Sequence, residues 1–259
     1  MIINPYFFGP SLDPDAQAFL TAAGITDATI SGAIDTLVVQ MKADNIWTKM
    51  KAIYPLVGGT DSTHKWNLKD PRDLNEAFRL TFNGGITHDA NGITSNGVNG
   101  YAETYLNDMV DLASDNKSIS MYIRNVLTIG SPMGVIDAFG QVSNRFYPEY
   151  AGLDYSTLGL IQTSKNIDGT QIGFFTMSKS SPGSFKYYRP GTSSITVSGA
   201  DEPNLNANYY LLASNNEVSA EYSEANLAFA SIQEALSNSE EANFRAAIQT
   251  FETTLSRNV

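Results

Sequence analysis

Near the start of the chain, apolar residues recur with a helical period. Ala16, Phe19, Leu20 and Ala23 share one face behind Asp13-Pro14-Asp15, which sets Pro at a first helical position after a capping Asp, and Gly24 stops the run. A second helix begins near Thr26 or Asp27 and carries Ile30, Ile34, Leu37, Val38 and Met41 at i, i+4, i+7, i+8 and i+11. Joined at Gly24, the two form a helical pair over residues 1–45 together with the arm in front. That arm, Ile2 to Pro10, is aromatic and holds two prolines, so it reads as a strand or tether.

From about Ile46 the period changes. Short apolar or alternating runs follow one another: Ala52 to Val57, Phe78 to Phe82, Ile119 to Val126, Leu158 to Gln162, Thr170 to Met177, Phe185 to Tyr188, Ser194 to Val197, Tyr209 to Ala213 and Asn226 to Phe229. Turn signals lie between them, among them Asn83-Gly84, Asn91-Gly92, Asn96-Gly97, Asn99-Gly100, Asp168-Gly169 and Pro190-Gly191. Many short strands with close turns predict a mainly β fold, an antiparallel sandwich or jelly roll over 46–259. A helical period returns at the end, over 237–257. Ser237 and Glu240 make a capping box, and Ala242, Phe244, Ile248, Phe251 and Leu255 stripe one face. That stripe needs a partner surface, because a helix of this length is marginal alone.

Composition narrows the function. With 42% apolar residues the chain can bury a real core. It has no cysteine, which removes disulfides and thiolate metal sites. The N-terminus lacks a basic start followed by an apolar run, and no stretch approaches the length of a membrane span, so a soluble protein without membrane insertion is expected. The formal charge of −11, with the basic residues scattered, speaks against nucleic acid as a partner.

Candidate chemistry is sparse. His64 and His88 are the only histidines and form no ligand-spaced pair, and no nucleophile elbow, P-loop or G-x-G-x-x-G turn is present. Glycoside hydrolysis needs two carboxylates about 5 Å or about 6.5–9.5 Å apart, and no predicted strand carries two of them on one face. Asp70, Arg72, Asp73 and Glu76 crowd a Pro-containing segment, where they read as turn-forming and ion-paired groups. No cofactor is expected. Calcium is the one metal the loops suggest, through Asp89, Asn91 and Asp168, although Asx residues beside glycine are usually turn formers.

Several runs resemble a block found in bacteriophage structural proteins: "IWTKMKAIYPLVGG" (Ile46 to Gly59), "HKWNLKDPRD" (His64 to Asp73), "AFRLTFNGGITH" (Ala77 to His88), "NGYAETYLN" (Asn99 to Asn107) and the ending "NFRAAIQTFETTLSRNV" (Asn243 to Val259). In that family the block precedes a concanavalin-like, laminin-G-type jelly roll. The resemblance implies a non-enzymatic virion protein, a fibre, appendage or decoration component, assembled in the host cytoplasm beside other virion proteins and as a homo-oligomer. It covers roughly the first 110 and the last 20 residues; 108–236 matches no family motif, and binding specificity is expected there.

Two sets of residues follow from that reading. A virion part must attach to something, and Tyr6, Phe7 and Phe8 in the arm are the candidates for docking on another subunit. If the protein adheres to host surface glycan, the densest mixture of aromatic and polar residues is "NRFYPEYAGLDY", with Arg145, Tyr147, Tyr150, Asp154 and Tyr155. A glycan-degrading depolymerase and a cement protein without host ligand are the alternatives.

Overall fold

The computed structural model describes residues 11–125, 130–140, 142–147, 153–154, 156–159, 165–166, 172–191, 194–216 and 219–259. Helices α1 (Pro14–Ala23) and α2 (Ala28–Ala43) come first, followed by strand β1 (Met50–Tyr54), the short helix α3 (Asp61–His64) and strands β2 (Thr81–Asn83), β3 (Ile86–Asp89), β4 (Gly92–Ser95) and β5 (Tyr101–Asn107). After the one-turn helix α4 (Asp108–Asp111) come β6 (Lys117–Ile123), β7 (Met133–Ile136), β8 (Ser143–Phe146), β9 (Leu153–Asp154), β10 (Thr157–Leu158), β11 (Lys165–Asn166), β12 (Gly173–Ser181) and β13 (Ser184–Tyr188). The chain closes with β14 (Ile195–Ser198), β15 (Asn208–Leu211), β16 (Ala213–Asn216), β17 (Ser219–Tyr222), β18 (Asn226–Gln233) and helix α5 (Asn238–Thr254).

The strands form a sandwich. The first sheet runs β14-β13-β12-β6-β18-β4-β3, with β1 also on β18; the second runs β10-β8-β7-β15-β5-β2, with β16 and β17 attached at β7. Pairing is antiparallel apart from β16 on β7. Between the sheets lies a core that includes Ile119, Met121, Ile123, Met133, Val135, Phe146, Phe175, Met177, Tyr209 and Leu211. A second core, on the opposite face of the first sheet, joins Phe19, Leu37, Val38 and Met41 of the helical pair to Phe174, Phe229, Phe244 and Phe251. The molecule is therefore three layers deep: helices, first sheet, second sheet.

This layering explains why β6 is buried at every position. Its residues alternate between the two cores, and the side facing the helices carries Ser118, Ser120 and Tyr122. The serine hydroxyls are not left dry: Gln233 Nε2 donates to Ser118 Oγ (3.1 Å) and Ser120 Oγ (2.9 Å).

Both expected N-terminal helices and the C-terminal helix are present. Asp13 and Asp27 cap the first two, and Ser237 with Glu240 forms the capping box of the third. Strand boundaries differ where the backbone turns left-handed. The run expected over Phe78 to Phe82 starts only at Thr81, because Phe78 (φ 57°) closes a 3-10 turn. Tyr209 to Ala213 is split by Leu212 (φ 66°) into β15 and β16. The last helix stops at Thr254 rather than 257, followed by Ser256 at φ 56°.

Candidate ligand-binding face

Strand β5, "YAETYLN", has strictly alternating burial. Ala102, Thr104 and Leu106 are fully buried, which turns Tyr101, Glu103, Tyr105 and Asn107 to the outer side of the second sheet. The turns before β5 are held by asparagine. Asn96 Oδ1 accepts from the backbone N–H of Val98, Asn99 and Gly100, while Asn99 Oδ1 accepts from Gly85 N–H. Gly84 (φ 66°) lies so close to Asn99 that a Cβ would sit 2.0 Å from its carbonyl oxygen.

Register carries this face across the sheet. Thr81 pairs with Glu103, Glu103 with Tyr210, Tyr210 with Gly134, and Gly134 with Arg145, so five residues on five strands form one cross-strand row. Gly134 is the gap in that row. A Cβ there would meet Arg145 Cβ at 2.2 Å, so the position excludes any side chain.

Aromatic rings cluster at the centre. Tyr101 and Tyr210 stack with centroids 4.5 Å apart and planes 23° off parallel, and Tyr222 tilts against Tyr101 at 6.2 Å. Burial, with Glu103 and Tyr101 beside it, pushes the Tyr210 phenol well above its ordinary value, so its O–H stays a donor through the physiological range. Asn208 Nδ2 donates to Glu103 Oε1 (2.8 Å), and Asn107 Nδ2 reaches Asn206 and Asn208. At one end Arg145 is paired with Glu221 and lies over the Tyr147 ring at 4.7 Å. At the other, Tyr105 adopts φ 58°, donates to Thr81 Oγ1 (2.9 Å) and packs under Arg79. A non-glycine residue in that region is strained, and here it sits on the exposed face. Thr81 and Arg79 also line a cleft of 310 Å³ with Asp61, Ser62, Lys65, Leu80 and Phe82.

Of the residues singled out in the sequence, Arg145 and Tyr147 lie on this face. Tyr150 and Tyr155 fall outside the described residues, as do Tyr6, Phe7 and Phe8; Asp154 is placed in β9, whose backbone pairs with β11. Sequence reasoning missed Tyr101, Glu103, Tyr105, Tyr210 and Tyr222. The signal was the alternation of "YAETYLN", whose outward positions are all polar or aromatic.

The remaining candidates are structural. Arg72 donates from Nε to Asp70 Oδ1 (2.7 Å), and Asp73 is bound by Lys65 and Arg79. Asp89 Oδ1 accepts from Asn91 N–H in an Asx turn, and Asp168 lies outside the described residues. Among the described residues no three His, Asp or Glu side chains gather as metal ligands do. His64 and His88 meet at 3.1 Å through their Nδ1 atoms. Gly59 N–H donates to His64 Nε2, so His64 carries its proton on Nδ1 and donates to His88.

No protein-family model matches the chain, and no curated protein matches it. Among solved structures, the chain is similar to domain 4 of AbnA, a GH43 extracellular arabinanase from Geobacillus stearothermophilus in complex with arabinotriose: TM-score 0.53, 15% identity, covering 78% of this chain and 98% of that one. It also overlays a Trypanosoma rangeli sialidase mutant displaying trans-sialidase activity, with TM-score 0.48 and 11% identity, covering 87% of this chain and 39% of the sialidase. The first likeness shows a shared β-sandwich fold, and the second is too loose to bear on function.

Proposed function

We propose that this protein is a non-enzymatic structural component of a bacteriophage virion whose sandwich adheres to glycan through the outer face of the second sheet. The virion setting rests on the runs between Ile46 and Asn107 and on the closing helix, which resemble phage structural proteins. The glycan reading is carried by one observation, the Tyr101–Tyr210 stack flanked by Glu103, Asn208 and Arg145. Sugar rings stack their apolar faces on aromatic rings while their hydroxyls take partners from carboxylate, amide and guanidinium groups. That a β-sandwich of the same fold has been solved with arabinotriose is consistent with this use of the scaffold.

The depolymerase alternative needs a carboxylic acid held protonated opposite a second carboxylate. On this face Asn208 holds Glu103 and Arg145 holds Glu221. The carboxyls that burial pushes up, Glu241 and Glu252, lie on α5 and are bound by Arg245 and Arg257.

A glycan array probed with the protein and with Tyr101→Ala/Tyr210→Ala tests the reading. Binding that the double variant loses at an unchanged thermal midpoint supports it; the same binding by both overturns it. Release of shorter sugars from a bound glycan would establish the depolymerase instead, and antibody labelling of virions tests the virion setting.

A further inference from the structure

The glycan-binding reading fixes a face but not how a ligand lies on it or what kind it is. We infer that the face takes an uncharged, extended oligosaccharide running across the strands, along the row Arg145, Gly134, Tyr210, Glu103 and Thr81. This inference rests on the proposed function and adds ligand direction, length and charge to it.

Direction comes from the register. The five residues are directly paired neighbours on β8, β7, β15, β5 and β2, so the side chains of Arg145, Tyr210, Glu103 and Thr81 stand in line perpendicular to the strands. A ligand lying along β5 would meet Tyr101, Glu103, Tyr105 and Asn107 before the chain turns inward at buried Asp108, and would pass beside the Tyr210 ring without reaching Arg145 or Thr81. A ligand lying across the strands meets a guanidinium, a ring, a carboxylate and a hydroxyl in sequence. Gly134 itself is buried and has no room for a side chain, because Arg145 Cβ fills the space one would take, so the Arg145 stem covers the step between β8 and β7 in the row.

Length follows from sheet geometry. Neighbouring strands lie about 4.8 Å apart, so four steps span about 19 Å, room for several linked sugar rings and far more than one. The row does not end in a wall, because Thr81 opens into the cleft lined by Lys65, Arg79 and Phe82.

Charge follows from the pairing already present. Arg145 is neutralised by Glu221, and Lys65 and Arg79, which share Asp73, line their cleft together with Asp61, so two cations there meet two carboxylates. Glu103 stands at the centre of the row, and the chain carries a net charge of −11. A polyanionic glycan would approach a repulsive surface with its cations already engaged. An uncharged chain of hydroxyls loses nothing there.

Calorimetric titration with linear arabino-, xylo- and gluco-oligosaccharides, from monosaccharide to hexasaccharide, and with a matched uronic-acid series, tests this. For at least one neutral series the affinity should rise about tenfold or more from disaccharide to tetrasaccharide, and it should be insensitive to salt. Thr81→Ala, at the end of the row, should weaken the tetrasaccharide and leave the disaccharide unchanged. Tyr210-dependent binding that is already complete with a disaccharide would overturn the across-strand track while leaving the glycan-binding reading intact. Tighter, salt-sensitive binding of the uronic-acid series would overturn the assignment to an uncharged ligand. Absence of Tyr210-dependent binding at every length would overturn this inference and the reading beneath it.

Discussion

The Lys117 ammonium lies 2.9 Å from Asp108 Oδ1, and both side chains are shut off from water. Asp108 also accepts from Tyr209 Oη (2.9 Å), Asn144 Nδ2 (2.8 Å) and the backbone N–H of Leu205 (2.8 Å). Through one carboxylate the end of β5 is tied to β6 of the first sheet and to β8 and β15 of the second, so that three strands of the proposed binding face, β5, β8 and β15, meet at it. Burial lowers the Lys117 pKa, and Asp108 opposes that effect. Removing one partner strands the other charge in the interior, which costs about 3–5 kcal/mol. Lys117→Met should therefore lose that order of stability in urea unfolding, and Lys117→Met/Asp108→Leu should lose less than the two single changes summed. A loss below about 1 kcal/mol for Lys117→Met would show that the pair is not a structural anchor.

The helical layer should be as necessary as the charged pair. Phe244 is fully buried and meets Phe174 edge-on at 5.4 Å and Phe229 at 6.0 Å, joining α5 to the first sheet. Phe244→Ala should cost about 3–5 kcal/mol, because the lost transfer energy adds to the cavity left behind. Deleting the chain from Ser237 onward should lower the thermal midpoint further still. An unchanged midpoint in either case would mean that the helix is not docked in solution.

The histidine pair predicts a pH dependence. Burial, with His88 and Arg257 nearby, lowers the His64 pKa from 6.5 to about 3, and burial lowers that of His88. The unfolded chain then binds these protons more readily than the folded one, so this stability is fully present above pH 6.5 and is lost as pH falls toward 3. Glu241 and Glu252, whose carboxyls are raised by burial, act in the opposite direction, so wild type must be compared with His64→Gln. The stability advantage of wild type should shrink between pH 7 and pH 4 in chemical unfolding; a constant difference would contradict the pairing.

Much of the fold was legible because its signals are local. The stripe of Ile30, Ile34, Leu37, Val38 and Met41, the caps at Asp13 and Asp27 and the box of Ser237 with Glu240 each lie within a few residues of what they determine. Three features were not local. Ser118 and Ser120 look solvent-facing in the sequence but are sealed under the helical layer, a fact set by residues more than a hundred positions away. Leu212 breaks a continuous apolar run through its backbone, which composition does not register. The proposed binding face needs Tyr101 beside Tyr210, a contact created by the pairing of β5 with β15. The aromatic density around Arg145 and Tyr147 found one rim of that face, while its centre lay in a strand whose alternation is plain only once its inward residues are known to be core.

The central claim is that sugar binds by stacking at Tyr210, and calorimetry on two substitutions at that position tests it most directly. With the best ligand from the array, Tyr210→Phe should keep most of the affinity, since the ring remains, and Tyr210→Ala should lose about tenfold or more with the fold unchanged. Equal affinity of wild type and Tyr210→Ala would contradict the account.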